Sequence, residues 1–181
     1  TYFDFPITEL AGKTLGIYGL GTIGISVARV GLALGMKIVS YTRTPKCVDG
    51  VEFVSEDELF SRSDFLTFHC PLNDKTAKVV NARTLSLMKP TAFLINTARG
   101  GVIDEQALAD ALKNGVIAGA ALDVLTYEPM AEDCPLWGID NCIITPHVAW
   151  ASLESRTRLI GKVADNLKAF CEGNPINVVN E

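Results

Sequence analysis

Histidine is scarce in this chain: among 181 residues there are two, His69 and His147, so imidazole chemistry has two candidates. Cysteine is present without pattern. The five residues (Cys47, Cys70, Cys134, Cys142, Cys171) are odd in number and show no C-x-x-C spacing. Reduced thiols in a cytoplasmic protein are expected, rather than a disulfide frame or a zinc site. Basic charge is not in excess. The net charge is −5, which leaves no electrostatic footprint for nucleic acid. No apolar run approaches the roughly 20 residues of a membrane span, and no charged-then-apolar signal segment opens the chain. Internal repeats and low-complexity stretches are missing. So is an initiator methionine, and the chain is expected to be a fragment. What is present is the composition of a soluble globular protein, 48% hydrophobic and 20% charged, long enough for one well-buried domain.

The stretch Thr14 to Thr42 organises the rest. An apolar run (Leu15, Ile17, Tyr18) enters Gly19-Leu20-Gly21-Thr22-Ile23-Gly24. A helical pattern follows, with apolar residues at Ile23, Val27, Val30 and Leu34, and Gly35 closes it. A β-rich run, Lys37 to Tyr41, comes next. Strand, Gly-x-Gly-x-x-Gly, helix, strand is the dinucleotide-binding βαβ unit. Gly19 allows the tight turn, Gly21 lets the backbone approach a pyrophosphate, and Gly24 lets the helix pack close to the sheet. The helix N-terminus then offers free N–H groups and a positive dipole end to phosphate. An ordinary βα turn without a ligand is the plainer alternative.

Further along, residues 1–12 read as an irregular lead-in and Thr42 to Gly50 as a loop. Ser55 to Glu58 starts a short acidic-capped helix with Leu59 and Phe60 facing in. Strands are expected over Asp64 to Cys70, Thr91 to Thr97, Val116 to Val124 and Cys142 to Thr145. Asn81 caps a helix through Met88, and Asp104 caps one to Lys113, closed by Asn114-Gly115. Ser152 caps a long helix to about Cys171. Apolar strands alternating with helices imply an α/β fold, a Rossmann-type doubly wound parallel sheet with helices on both faces.

Ligands of such sheets lie outside the carboxyl ends of the strands. The polar residues to read are therefore Thr42 and Arg43, His69, Asn96 to Arg99, Asp123 to Glu128, and His147. An NAD site usually places a carboxylate after the second strand, to hold the ribose 2′-hydroxyl. This chain offers Tyr41-Thr42-Arg43-Thr44 instead. Nothing there repels a 2′-phosphate, and Arg43 can pair with one, so the reading leans to NADP. Arg43 as a solvated loop residue, with NAD held through Thr42, is the alternative.

Arg99, Glu128 and His147 follow successive strand ends. Each alone reads as a rim salt bridge, a surface carboxylate or a satisfied loop histidine; the three together point to catalysis. Hydride transfer to a carbonyl needs a proton donor at the developing alkoxide, and imidazole, with an ordinary pKa of about 6.5, suits that task. A neighbouring carboxylate such as Glu128 raises the pKa and holds the ring tautomer. A guanidinium such as Arg99 binds a substrate carboxylate in a fork and polarises the carbonyl.

These residues resemble a family, the D-isomer-specific 2-hydroxyacid dehydrogenases, over nearly the whole chain. The matching motifs are Gly19 to Gly24, His69-Cys70-Pro71-Leu72 with Thr76, Asn96 to Asp104, Asp123-Val124 with Glu128-Pro129, and Thr145-Pro146-His147. The resemblance implies His147 as acid/base, Glu128 as its partner and Arg99 as the 2-oxo acid ligand. It puts Thr22 and Ile23 at the pyrophosphate, Cys70 (through its backbone) and Pro71 on the adenosine side, and Thr97, Ala98 and Asp123 near the nicotinamide. Thr44, His69, Thr76 and Ala149 complete the cofactor set, which Arg99 and His147 also touch, and no metal is implied. Tyr2 to Pro6 and Trp150 look most like glycerate dehydrogenases, also called hydroxypyruvate reductases.

Relatives carry a substrate domain built largely from an N-terminal third that this chain lacks, so cofactor binding with little turnover is expected. Residues 13–150 are then the dinucleotide-binding domain and 151–181 a helix and tail that return to the absent domain. The apolar face of that helix (Leu159, Val163, Leu167, Phe170) is expected to be partly exposed or to find another chain. A homodimer is expected from the resemblance. An NAD(H)-sensing corepressor-like module is the non-enzymatic alternative, and a formate or phosphonate dehydrogenase a third reading.

Overall fold

The computed structural model describes residues 7–44 and 47–179. The Tyr2 to Pro6 motif, and Pro45 and Lys46 of the loop, lie outside the described residues. The chain forms two compact units, Thr1–Pro146 and His147–Glu181.

In the first unit, seven strands form one parallel sheet. They are β1 (Thr14–Tyr18), β2 (Lys37–Tyr41), β3 (Val51–Phe53), β4 (Phe65–Phe68), β5 (Phe93–Asn96), β6 (Gly119–Leu122) and β7 (Cys142–Ile144). The order β3-β2-β1-β4-β5-β6-β7 reverses direction between β1 and β4, the switch point of a doubly wound sheet. Period-two alternation supplies both faces. Leu15 and Ile17 of β1 pack with Ile38 on one side, whereas Tyr18 packs with Val39, Leu66 and Phe68 on the other.

Helix α1 (Thr22–Ala33) departs from the apolar stripe of the sequence. Its buried positions are Gly24, Ala28 and Gly31. Ile23 is 66% and Val30 61% exposed, and Leu34 just beyond is exposed too. The reason is close approach to the sheet. A Cβ on Gly31 would lie 2.7 Å from Ile38 Cδ1 and 2.8 Å from Leu15 Cδ2. Small residues therefore make the contact, and the larger ones are turned outward.

On the opposite face lie α2 (Glu56–Arg62), α3 (Ala82–Leu85) and α4 (Glu105–Lys113). A capping box opens α2: Glu58 N–H donates to Ser55 Oγ, and Ser55 N–H donates to Glu58 Oε2. Leu59 and Phe60, one turn on, are fully buried. Asp104 caps α4 by accepting from Ala107 N, and Gly115 follows with φ +67°. Asn81 caps α3, but that helix ends at Leu85 rather than Met88. Leu87 and Met88 donate to the carbonyls three residues back, so the last turn tightens before Pro90.

The second unit holds α5 (Leu153–Cys171), capped by Ser152 Oγ accepting from Ser155 N. Leu159, Val163, Leu167 and Phe170 along it are all exposed.

Candidate nucleotide and active site

The register of the sheet gathers the candidate residues along one edge. Tyr41, Tyr18, Phe68, Asn96, Leu122 and Ile144 form one continuous row across six strands. The next residue of each strand is Thr42, Gly19, His69, Thr97, Asp123 or Thr145. Main-chain bonds extend the ladder into that second row: Gly19 N to Tyr41 O, His69 N to Tyr18 O, Asp123 N to Asn96 O and Thr145 N to Leu122 O, at 2.8–2.9 Å. Residues from five separated sequence motifs thus share one rim.

At the switch point, Gly19 has φ +95°, a conformation that costs an L-residue energy and glycine little. A Cβ there would also lie 2.9 Å from His69 O and 3.0 Å from Cys70 N. On Gly24 it would overlap the Gly19 carbonyl oxygen. Gly21 differs from both: a Cβ there would meet no atom within 4 Å. Gly21 is the N-cap of α1, with no side-chain cap and no acidic residue in the first turn. The N–H groups of Thr22, Ile23 and Gly24 stand ahead of the first helical bond, Ile25 N to Gly21 O. This is a positive, donor-rich helix end with open space over its glycine, and it fits a pyrophosphate.

Past β2, Thr42 is half-buried while Arg43 and Thr44 are exposed. The Tyr18 and Tyr41 rings just before the rim lie 5.2 Å apart. Tyr18 Oη donates to Glu56 Oε1 at 2.7 Å. Burial, then this bond to Glu56, raises the phenol well above its ordinary value.

Past β4, His69 is half-buried, and its Nε2 lies 3.1 Å from Thr67 Oγ1. Burial holds the imidazole below its ordinary pKa, which favours the neutral ring. Cys70 is buried, and burial pushes its thiol up to about 11. Burial thus leaves its backbone, rather than its thiol, for any contact at the rim. Pro71 is exposed. Thr76 is occupied within its own loop: Oγ1 accepts from Asn73 N at 2.9 Å and donates to Pro71 O at 2.7 Å. Its hydroxyl shapes the turn behind Pro71.

Past β5, Asn96 is fully buried and splints the turn that carries Arg99. Asn96 Oδ1 accepts from Ala98 N at 3.0 Å, and Nδ2 donates to Arg99 O at 2.9 Å. Sequence reasoning placed Asn96 at a strand end without this role; the Asx-turn chemistry of asparagine was the signal. Thr97 and Arg99 are exposed and Ala98 is half-buried. The Arg99 guanidinium donates to Ala98 O at 2.7 Å. Gly100 lies against the next strand's loop, where a Cβ would overlap the Leu125 backbone. The Arg99 and Glu128 loops therefore touch main chain to main chain.

Past β6, Asp123 is buried and accepts from Thr145 Oγ1 at 2.5 Å. Glu128 is exposed, and its Oε1 accepts from Leu125 N at 3.0 Å. His147 opens the second unit, exposed, with φ +54°, a left-handed conformation uncommon outside glycine. Ala149, two residues on, is exposed as well.

A family model described as D-isomer specific 2-hydroxyacid dehydrogenase, NAD binding domain, matches residues 1–149. A hydroxypyruvate reductase of Blautia hydrogenotrophica is 44% identical over 183 residues, covering 99% of this chain and 57% of that protein. A glycerate dehydrogenase of Methylorubrum extorquens is 46% identical over 180 residues, covering 98% and 56%. Among solved structures, an acyclic imino acid reductase in complex with NADPH and D-Arg superposes with TM-score 0.90 at 39% identity, covering 99% of this chain and 58% of that one. The NAD-complexed D-isomer specific 2-hydroxyacid dehydrogenase of Lactobacillus delbrueckii ssp. bulgaricus gives 0.88 at 30% identity, covering 96% and 58%. The chain thus spans a little over half the length of these relatives. With the fingerprint at the switch point and the match over residues 1–149, this chain belongs to the D-isomer-specific 2-hydroxyacid dehydrogenase family.

Proposed function

We propose that this chain is the nucleotide-binding portion of an oxidoreductase that moves a hydride between NAD(P)H and a small 2-oxo or 2-hydroxy acid. The substrate is of the hydroxypyruvate/D-glycerate or glyoxylate type, as the names of the similar hydroxypyruvate reductase and glycerate dehydrogenase suggest. The observation that carries the reading is the glycine fingerprint at the sheet's switch point, with Gly21 open to space at an uncapped helix end. In this reading residues 13–150 bind the dinucleotide, residues 151–181 return to a substrate domain outside this chain, and the protein acts as a cytoplasmic homodimer.

Gly19, Gly21, Thr22, Ile23 and Gly24 hold the pyrophosphate. Thr42, Arg43 and Thr44 meet the adenosine ribose, and His69, Cys70, Pro71 and Thr76 wall that side. Thr97, Ala98, Asp123 and Ala149 surround the nicotinamide. NADP is the preferred cofactor, because Arg43 offers a fork for a 2′-phosphate and the 41–44 segment carries no carboxylate. When bound, the nicotinamide supplies or accepts the hydride.

The protein's own residues bind and move the proton. Arg99 anchors the substrate carboxylate and polarises the carbonyl. His147 donates a proton to the alkoxide during reduction and removes it during oxidation. Glu128 is the carboxylate partner of His147, orienting the ring and holding it in one tautomer. The test is reduction of hydroxypyruvate and glyoxylate by the full-length protein, with His147→Asn beside wild type. The substitution is expected to lower kcat by about 10²–10⁴-fold. Turnover at the wild-type rate would refute the assignment.

A further inference from the structure

Glu105 is the first residue of α4 and took no part in the sequence reading of the site. Its position favours an acid for a local reason, the positive end of the helix dipole. Its carboxylate also reaches well beyond the helix. Glu105 Oε1 accepts from Thr126 N at 2.6 Å, across 21 residues of chain. The neighbouring amide, Leu125 N, donates to Glu128 Oε1 at 3.0 Å. The Leu125–Thr126 peptide, which carries the Thr126 N–H, is pressed against Gly100, where even a methyl group would collide.

This stretch, made of the Val124–Leu125 and Leu125–Thr126 peptides, is thus held from three sides. Gly100 fixes its distance from the Arg99 turn, Glu105 takes the Thr126 N–H, and Glu128 takes the Leu125 N–H. The residues after it, Tyr127, Glu128 and Pro129, are exposed. Glu128 therefore hangs from a short segment whose anchorage includes a charge-assisted bond to another helix. Releasing the Thr126 amide frees the segment to move, and with it the carboxylate. Displacement of a catalytic group by about 1 Å can cost as much as 100-fold in rate.

We infer that Glu105 is a positioning residue for Glu128, acting through the Thr126 amide. The inference rests on the proposed pairing of Glu128 with His147. A carboxylate beside an imidazole favours its protonated form. During reduction the imidazole must be protonated, so activity falls on the alkaline side of the pH profile. Loss of the carboxylate, or its displacement, moves the alkaline limb to lower pH.

The experiment measures kcat against pH for 2-oxo acid reduction by the full-length protein. Wild type is compared with Glu105→Ala, Glu105→Gln and Glu128→Gln, with thermal midpoints recorded in parallel. Glu105→Ala is expected to lower kcat about tenfold and to shift the alkaline limb downward, in the direction of Glu128→Gln but by less. Glu105→Gln keeps an acceptor for the Thr126 amide and should restore the limb toward wild type. Nicotinamide nucleotide Kd should stay within about twofold in both, a change worth only about 0.4 kcal/mol. A drop in midpoint for Glu105→Ala with an unmoved pH profile would overturn the positioning role and leave only a structural one. An unmoved profile for Glu128→Gln itself would instead overturn the pairing with His147.

Discussion

The three fingerprint glycines have different steric surroundings, and this yields a sharp prediction. A methyl group at Gly21 meets nothing within 4 Å, and the backbone there (φ −82°, ψ −164°) is extended and open to any residue. Gly21→Ala should therefore fold. Its cost is that of alanine for glycine at a helix N-cap, about 0.5–1 kcal/mol. Gly24→Ala is the contrast. Its methyl overlaps the Gly19 carbonyl oxygen, and the nearby Ile17 Cγ2 lies 3.3 Å away. The helix must lift from the sheet, which should cost about 1–3 kcal/mol or more. If the space over Gly21 is where a pyrophosphate lies, the order reverses for binding per unit of stability lost. Gly21→Ala should weaken NADH and NADPH at least tenfold, about 1.4 kcal/mol, while its urea midpoint falls by only a few tenths molar, roughly 0.5 M at most for a slope of about 2 kcal/mol/M. Urea denaturation gives the stability, and quenching of protein fluorescence on nucleotide addition gives the affinity. A Gly21→Ala chain that binds like wild type would refute the placement of the phosphates. One that unfolds several kcal/mol sooner would refute the steric argument.

Two other consequences are open to measurement. Asp64 lies behind the sheet edge opposite the site, accepting from Thr14 N and Lys89 Nζ, each at 2.8 Å. Burial opposes its ionisation, but the Lys89 and Thr14 bonds hold the carboxyl below its ordinary value. A depressed carboxylate stabilises above its unfolded pKa, about 3.9, and the benefit is lost as pH falls through the folded value. Asp64→Asn should cost about 1.5–3 kcal/mol in urea at pH 7, with the gap to wild type closing as the pH is lowered below about 4; a gap independent of pH would contradict the charge argument. Among the thiols, Cys47 and Cys171 are exposed, whereas burial raises Cys70 and Cys142 to about 11. Iodoacetamide at pH 8 should modify Cys47 and Cys171 first, read by mass spectrometry of peptides, and early labelling of Cys70 would show its strand end to be open.

Much of the fold was legible because local chemistry and global position agree. Ser55, Asp104 and Ser152 announce their helices by capping, and Gly115 closes α4 as expected. Strand existence was readable from the apolar runs, but extent was not. Of Val116 to Val124 only Gly119–Leu122 is strand, because Val116 N bonds back to Ala111 O in the turn that closes α4, and pairing with β5 begins only at Ala118 N, which bonds to Ala92 O. The edge strand β3 was read as no strand at all. Its three residues carry one apolar alternation and owe their conformation to pairing with Ile38 to Ser40. The stripe on α1 misleads for a different reason: close packing selects glycine and alanine, which hydrophobicity does not flag. Candidate residues on the rim were found because each follows a strand. Of those that hold the rim from behind, Asn96 was signalled only by its Asx-turn chemistry, while Glu105 reaches a main-chain amide 21 residues on, which no motif records.

Binding of a nicotinamide dinucleotide at the β1–α1 turn is the central claim, and a paired titration of this chain with NADH and NADPH tests it most directly. Saturable binding of both is predicted, tighter for NADPH, with the preference abolished by Arg43→Ala and both affinities reduced by Gly21→Ala. Equal or tighter NADH binding would remove the role of Arg43 and leave Thr42 as the ribose neighbour, while no binding of either nucleotide would contradict the account itself.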